Sequence, residues 1–313
     1  MRVISLVIPV FNEEKGLDIL YKAVCGVINK REETFELIFV NDGSYDGSLE
    51  KLLNIHKSDP RVKIVDFSRN FGHQNALSAG IDFARGDAVI LMDADMEDPP
   101  EKIYDFLEYW KNGYDVVYAI RKKRKVGVIK RTLFALYHKL NTIISDIAMP
   151  DASGIFGLMD RKVVNIIRRI PEKNRYLPGL RAWVGLKQMG LETERGKRYD
   201  KNPRVSFAKL IKLAFDSYIS FSKIPLKIAS FLGIFFSFIS FIGILVIIFL
   251  KLTVGIQLRG WSSIIALILL VTGIQLITIG IIGEYIGRIL DETKNRPLYI
   301  VKEIIGFENQ IYE

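Results

Sequence analysis

The sequence is short of cysteine, and it carries neither a leader pattern nor a nucleic-acid-binding motif. Cys25 is the single cysteine among 313 residues, which excludes an internal disulfide and is typical of a reducing compartment. Met1 leads directly into a strand-like segment at 3–8, so we expect no signal peptide. Without a nucleic-acid motif, the formal net charge of +9 favours work at an anionic membrane surface and no nucleic-acid partner.

Charge is also absent from two long runs, 228–250 and 261–283, each of 23 residues. A helix of that length spans roughly 34 Å, against about 30 Å for the hydrocarbon core of a bilayer. Two buried core helices are the alternative, but two such runs so close together favour two transmembrane helices. The sequence therefore predicts a membrane protein.

The link between the runs is short, so the two helices are expected to form an antiparallel hairpin with both chain ends on one side. The link carries two basic residues, whereas five flank the outer ends: Lys223, Lys227, Arg288, Lys294 and Arg296. The positive-inside rule then places both termini in the cytoplasm, as a multi-pass protein of the cytoplasmic (inner) membrane. One hairpin is a small membrane footprint, which would suit a homo-oligomer.

These features divide the chain into four segments. We expect a cytoplasmic α/β domain, an amphipathic interfacial helix, a transmembrane hairpin and a cytoplasmic tail, at 1–203, 204–224, 225–290 and 291–313. For the second segment, a packing helix of the α/β domain is an equal alternative.

Strand and helix patterns alternate up to about residue 120. Apolar runs of strand length occur at 3–8, 35–40, 62–67, 88–92 and 116–119, and helical patterns lie between them at 13–29, 48–56, 75–85 and 101–112. Repeated βα units of this length predict an α/β fold with a mostly parallel, Rossmann-like sheet covered by helices on both faces.

Two carboxylates, Asp93 and Asp95, directly follow the apolar run 88–92. At the end of a buried strand such a pair is costly unless it binds something, and a divalent cation with a phosphorylated ligand would account for it. A solvated turn is the common alternative. A calcium loop is disfavoured because Asp98 stands where that loop needs glycine.

Polar clusters follow three further predicted strands. They are Pro9-Val10-Phe11-Asn12-Glu13, Asn41-Asp42-Gly43-Ser44 and Arg69-Asn70-Phe71-Gly72-His73-Gln74. Each alone could be a turn or a helix cap. The carboxyl ends of parallel strands meet at one edge of a sheet, so we expect the four clusters to form one ligand site.

Three of the four clusters, at 9–13, at 41–44 and at Asp93-Ala94-Asp95, resemble the signature blocks of family 2 glycosyltransferases with the GT-A fold. Three later blocks resemble the polyprenyl-phosphate glycosyltransferases, which include bactoprenol glucosyltransferases and dolichol-phosphate mannosyltransferases. They are Gly154-Ile155-Phe156-Gly157-Leu158-Met159-Asp160-Arg161, Gly283-Glu284-Tyr285-Ile286-Gly287-Arg288 and Arg296-Pro297-Leu298-Tyr299. The resemblance covers essentially residues 3–302.

The resemblance implies a nucleotide-sugar donor bound across the sheet edge. Asp42 would accept a hydrogen bond from the base, and the donor site as a whole would comprise Pro9, Phe11, Glu13, Asp42, Asp93, Ala94 and Asp95. Mg²⁺ or Mn²⁺ on the diphosphate would be held by Asp93 and Asp95. Glu97, where relatives usually have Gln, is a further candidate ligand. Asp93, Asp95 and Arg121 are the implied catalytic residues.

The implied acceptor is a polyprenyl (undecaprenyl) phosphate, which would attack the sugar with inversion. Many relatives have Asp and Arg where this chain has Ile155 and Gly157. A phosphate monoester is already largely dianionic at neutral pH, so the missing Asp does not argue against catalysis. Asp151 and Asp160 are nearby carboxylates, and we favour a structural role for Asp160. Candidate phosphate-binding residues are Arg121, Arg124, Arg131, Arg198 and Arg204, the last standing where relatives have Lys.

Two other functions compete with this enzyme. A processive polysaccharide synthase would carry a Gln-x-x-Arg-Trp motif, and the sequence has none. An inactive membrane scaffold is favoured only by Ile155 and Gly157. The sugar is not encoded in any motif: UDP-glucose is the first choice, followed by UDP-N-acetylglucosamine and GDP-mannose.

Overall fold

The structure is a computed structural model that describes residues 2–121, 153–194, 224–254 and 260–307. The chain divides into two compact units. One, the α/β unit, comprises Met1–Ser206 and Pro297–Glu313, and the other, the helical unit, comprises Phe207–Arg296.

The α/β unit contains eight strands and six helices among its described residues. The strands are β1 (Val3–Val10), β2 (Thr34–Asn41), β3 (Val62–Phe67), β4 (Ala88–Leu91), β5 (Val116–Arg121), β6 (Ser153–Asp160), β7 (Gln188–Thr193) and β8 (Val301–Ile305). The helices are α1 (Leu17–Ile28), α2 (Ser48–Ser58), α3 (His73–Phe83), α4 (Lys102–Lys111), α5 (Arg161–Arg169) and α6 (Leu177–Val184). All nine elements predicted before residue 121 are confirmed, with ends displaced by a few residues at most.

The strands form one sheet in the order β7-β5-β6-β4-β1-β2-β3-β8. The pairs β1–β2, β1–β4 and β2–β3 are parallel, as the alternating pattern predicts. Helices cover both faces: α1, α2 and α4 contribute to one apolar core, and α3, α5 and α6 to the other. Burial on both faces explains why these strands read as continuous apolar runs.

The outer parts of the sheet depart from the parallel pattern. β6 lies between β4 and β5 and runs antiparallel to both, and β8 runs antiparallel to β3 at the edge. The sheet is therefore mixed, and β5 is not the neighbour of β4. An apolar run indicates that a strand is buried, but it does not determine which strand lies beside it or in which direction it runs.

The helical unit contains two long helices, α7 (Ile224–Val254) and α8 (Trp261–Thr293), which contact each other. Both uncharged runs of the sequence fall within them. Within the described residues, one stretch is both long and apolar enough to cross a membrane, Leu270–Thr293, with 24 residues and a mean hydropathy of 1.5. A shorter apolar stretch, Gly233–Gly243, lies in α7. The predicted pair of spans is thus supported for one helix, and the second stays a prediction.

Candidate active site

A cavity of about 390 Å³ opens at the carboxyl ends of β1, β2 and β4. The structure brings together all seven residues predicted to bind a nucleotide sugar, since the lining includes Pro9, Phe11, Glu13, Asp42, Asp93, Ala94 and Asp95. The size suits a ligand such as a nucleotide, for which clefts of roughly 300–1,000 Å³ are usual. The remaining lining residues are Val10, Asn70, Gly72, His73 and Ala76.

Hydrogen bonds tie the loops after β1 and β2 together. The Asn12 backbone adopts a left-handed conformation with φ of 55°. Its amide donates to Ser44 Oγ at 3.0 Å, and its side-chain Oδ1 accepts from the Tyr45 amide at 2.8 Å. The Glu13 amide donates to Ser48 Oγ at 2.9 Å. These bonds hold the cavity wall near Phe11 and Glu13, and asparagine is one of the few non-glycine residues that readily adopts the left-handed conformation needed beside them.

Asp42 joins the loop after β2 to the loop after β3. Its Oδ1 accepts from the Phe71 amide at 2.6 Å, and its Oδ2 accepts from the Gly72 amide at 3.0 Å. Burial raises the pKa of Asp42 above its usual value, although both amides favour the ionised form. The carboxylate is therefore held by the protein itself, while lone pairs remain for a ligand in the cavity.

Asp93 lies at the end of β4 and faces His73, the first residue of α3. His73 Nε2 is 3.2 Å from Asp93 Oδ1. The two groups form an ion pair when the imidazole is protonated. Asp93 Oδ1 itself is buried and has no hydrogen-bond partner among the described residues. Burial alone would lower the pKa of His73, but Asp93, and then Asp42 and Asp95, raise it above its ordinary value.

The next two acidic residues, Asp95 and Glu97, are joined by a hydrogen bond across a turn. Met96 has a left-handed backbone with φ of 63°, and the turn around it lets the Glu97 amide donate to Asp95 Oδ1 at 3.1 Å. Glu97 is buried and is not among the residues that line the cavity. Within the described parts of the chain, no three His, Cys, Asp or Glu side chains converge as a metal cage. A buried Asp93 oxygen without a hydrogen-bond partner nevertheless fits a metal such as Mg²⁺, which needs only one or two carboxylates when phosphates complete its shell.

Asp160 and Arg161 have structural roles. Asp160 caps α5, because its Oδ1 accepts from the Lys162 amide at 2.9 Å, and its Oδ2 accepts from Trp110 Nε1 at 2.8 Å. This confirms the structural interpretation of Asp160. Arg161 donates to the carbonyl oxygens of Ala84 and Gly86, at 3.1 Å and 2.8 Å, and so secures the turn that precedes β4.

The region around Ile155 and Gly157 contains a buried cation that the sequence did not indicate. Gly157 is paired with Leu91 and with Tyr118, and a Cβ there would lie 2.7 Å from a backbone oxygen of β5. Arg181, only 4% exposed, places its guanidinium 4.4 Å from the centre of the Tyr118 ring. Burial lowers the pKa of Arg181 to about 10. No carboxylate of the described residues pairs with it.

The predicted phosphate-binding arginines are mostly outside the described residues. Arg121 ends β5, and its strand runs in the same direction as β4, so its backbone lies at the same edge of the sheet as Asp93. Arg124, Arg131, Arg198 and Arg204 lie outside the described residues, as does Asp151.

Sequence reasoning assigned no role to Asn70 or His73, which both line the cavity. The sequence did place both residues near the site, because the cluster 69–74 follows β3 and was expected at this edge of the sheet. What the sequence did not reveal is that α3 begins at His73 and so directs this residue towards Asp93.

A mixed α/β sheet with acidic residues at the carboxyl edge of its parallel strands is the arrangement expected of a GT-A-like glycosyltransferase. The chain belongs to glycosyltransferase family 2, since the model described as "Glycosyl transferase family 2" matches residues 5–167, and it is therefore a glycosyltransferase.

Full-length relatives share this assignment. The chain is 46% identical over 307 residues to an uncharacterized glycosyltransferase of Bacillus subtilis, covering 98% of this chain and 95% of that protein. It is 42% identical over 306 residues to an uncharacterized glycosyltransferase of Synechocystis, covering 97% and 96%. It is 41% identical over 302 residues to the SfII prophage-derived bactoprenol glucosyl transferase of Shigella flexneri, covering 96% and 97%.

Proposed function

We propose that this glycosyltransferase moves a sugar, with glucose as the first choice, from a nucleotide-sugar donor to polyprenyl phosphate at the cytoplasmic face of the membrane. The observation that carries the proposal is that all seven expected donor-binding residues line one cavity. Similarity over nearly the whole chain to a bactoprenol glucosyl transferase supports the acceptor class and the first choice of sugar.

The nucleoside end of the donor is proposed to lie against Pro9, Phe11 and Glu13. Asp42 is held by the Phe71 and Gly72 amides, so its remaining lone pairs would accept from the base without reorganisation of the loop. The ribose and diphosphate would extend towards Asp93 and Asp95 on the neighbouring strand.

Asp93 and Asp95 are proposed to hold Mg²⁺ or Mn²⁺ together with the donor diphosphate. A divalent cation held there would neutralise the charge of the leaving nucleoside diphosphate. Asp93 brings an oxygen that lacks a hydrogen-bond partner. Glu97 stays a candidate ligand that would have to turn towards the cavity, since it does not line it.

The acceptor phosphate is proposed to attack the anomeric carbon in line with the bond that breaks. The new bond joins the phosphate oxygen to that carbon, and the nucleoside diphosphate leaves with the electron pair, which inverts the configuration. The phosphate is largely dianionic near neutral pH, because its second pKa is about 6. The residues around it must therefore position it and offset its charge, the role proposed for Arg121, Arg124, Arg131, Arg198 and Arg204.

The membrane arrangement extends this proposal. Leu270–Thr293 is long and apolar enough to span a bilayer, and we propose that the run 228–250 supplies a second span. Both termini and the α/β unit would then lie on the cytoplasmic side, where nucleotide sugars are available. One hairpin per chain suits a homo-oligomer.

A donor screen with the purified full-length protein tests the proposed function. UDP-glucose, UDP-N-acetylglucosamine and GDP-mannose would each be supplied with undecaprenyl phosphate and Mg²⁺ in detergent, and the lipid product would be identified by mass spectrometry. We expect one donor to yield undecaprenyl-phosphate sugar, and Asp93→Asn to yield none. Transfer to a soluble acceptor but not to the lipid phosphate would overturn the acceptor assignment.

A further inference from the structure

The residues that follow α8 complete the sheet of the α/β unit. The edge strand β8 pairs with β3 with Val301 opposite Phe67. The pairing extends beyond β3, because the Ser68 amide donates to the Ile300 carbonyl oxygen at 3.0 Å. We call residues 297–305 the return segment. It therefore contacts the chain at the point where β3 gives way to the loop 68–72.

Tyr299 of the return segment makes two contacts with the elements on either side of that loop. Its ring stacks on Phe67, with centroids 5.1 Å apart and planes 10° apart. Its hydroxyl donates to Asp82 Oδ2 at 2.9 Å near the end of α3. Phe67 in turn meets Phe71 edge-to-face at 5.7 Å. Tyr299 thus links the end of β3 to α3, and through Phe67 it touches the loop between them.

The loop 68–72 is the segment that holds Asp42. Its Phe71 and Gly72 amides donate to the Asp42 carboxylate, and Asn70 Nδ2 donates to the Asp42 carbonyl oxygen at 3.2 Å. Asn70, Gly72 and Asp42 all line the cavity. A displacement of the loop would therefore move the cavity wall and release the carboxylate that we propose to read the base.

A second contact of the return segment, made by Lys302, also leads towards Asp42. Lys302 Nζ lies 3.6 Å from Asp66 Oδ2, and Asp66 Oδ1 accepts from Asn41 Nδ2 at 2.6 Å. Asn41 directly precedes Asp42. Asp66 is almost fully buried, so the pair with Lys302 offsets a charge that is otherwise costly to bury.

We propose that Tyr299 is a positioning residue for the donor, which acts through Phe67 and the loop 68–72 on Asp42. This inference rests on the proposed function, because it assumes that the cavity binds the nucleotide part of a nucleotide sugar. The return segment then does more than close the edge of the sheet. It sets the geometry of the base-binding wall from a part of the chain that follows α8.

Nucleoside diphosphate binding and turnover of the full-length protein in detergent test the inference. UDP and GDP would be titrated with Mg²⁺ by calorimetry, and kcat and donor KM would be measured with the active donor. Tyr299→Phe keeps the ring stack and loses the hydrogen bond, so we expect Kd and donor KM to rise roughly threefold. Tyr299→Ala loses both contacts, and we expect a rise of about tenfold with little change in kcat or in the KM for polyprenyl phosphate.

Tyr109→Ala is the matched control. Tyr109 packs edge-to-face on Tyr114 at 5.7 Å, on α4 and away from the loop. It should lower the melting temperature without changing Kd. Wild-type Kd and donor KM in Tyr299→Ala would overturn the inference, as would an equal rise in Tyr109→Ala. If neither nucleotide binds the wild-type protein, the proposed function itself fails.

Discussion

Nε2 of His73 lies 3.2 Å from Oδ1 of Asp93, so the first residue of α3 meets the end of β4 across the cavity. When protonated, His73 gives Asp93 a positive partner. Since Oδ1 has no hydrogen-bond partner among the described residues, a divalent cation would offer it a stronger interaction than the imidazole does. We therefore expect metal binding to compete with this ion pair.

Replacing either carboxylate should abolish sugar transfer. Asp93→Asn and Asp95→Asn keep the side-chain volume but remove the charge that would hold the cation. A metal supplies several kcal/mol of charge stabilisation, so kcat/KM should fall at least about a hundredfold. Radiolabelled sugar transfer to undecaprenyl phosphate measures the loss, and EDTA should stop the wild-type reaction until Mg²⁺ or Mn²⁺ is restored.

Asp105→Asn is the matched control for that pair of variants. Asp105 pairs with Lys102 on α4 and is half-exposed, outside the cavity lining. It should retain wild-type activity. Normal metal-dependent transfer by Asp93→Asn would contradict the assignment of Asp93 as a ligand.

The position of the acidic pair could be predicted because it depends on local patterns. Alternating apolar runs and polar strand ends predicted β1 to β4 and the edge at which their carboxyl ends meet. The order of the remaining strands could not be predicted in this way. The antiparallel pairings of β6 with β4 and of β8 with β3 join residues more than 60 positions apart along the chain.

Individual side chains were harder to predict than the edge they occupy. The helix expected to begin at residue 13 begins at Leu17, because the left-handed Asn12 and the turn after it leave Glu13 at the cavity. The contact of His73 with Asp93 and the burial of Arg181 beside Gly157 follow from the packing of α3 and α6. A single sequence contains no local pattern for such contacts.

Gly43→Ala should weaken both the fold and donor binding. Gly43 has φ of +63°, and a Cβ there would lie 2.4 Å from the backbone carbon of Arg69. The added methyl would push the loop after β2 away from the loop 68–72, and the strained backbone costs about 1–3 kcal/mol. Chemical denaturation and UDP titration measure the two effects.

Gly26→Ala is the corresponding control, because a Cβ at Gly26 meets no atom within 4 Å. Gly26 lies in α1 and is exposed, so alanine should stabilise the protein by about 0.5–1 kcal/mol. Equal stability of the Gly43→Ala variant and wild type would show that the two loops can separate without cost.

Acid should destabilise the α/β unit through Glu33. Its side chain is 5% exposed and pairs with Lys111 and Arg31. Burial opposes ionisation, but the hydrogen bonds from Lys111 and Arg31 outweigh it and lower the pKa of Glu33 from 4.5 to about 2. A lowered folded-state pKa stabilises the protein above pH 4.5, and this contribution is lost as the pH falls towards 2.

The variant Glu33→Gln isolates the acid-dependent contribution of Glu33 to the free energy of unfolding. We expect this variant to lose about 1–2 kcal/mol at pH 7, after allowance for solvent screening of the partly exposed cations. The difference from wild type should shrink between pH 4.5 and pH 2 in urea unfolding. A difference that stays constant over this window would show that Glu33 contributes packing rather than charge.

Arg204→Ala should weaken acceptor binding more than donor binding. Arg204 lies outside the described residues. Its role is predicted from its place in the sequence before the two uncharged runs, and from the Lys that the family it resembles usually has at this position. Loss of a charge-assisted contact to a phosphate costs about 1.5–3 kcal/mol, so the KM for polyprenyl phosphate should rise at least about tenfold. Arg204→Lys should restore most of the affinity, because a point charge serves a phosphate nearly as well.

Lys51→Ala is the control variant. It removes a surface charge that pairs with Asp18 and should leave both KM values unchanged. An unaltered acceptor KM in Arg204→Ala would exclude the residue from the lipid-phosphate site.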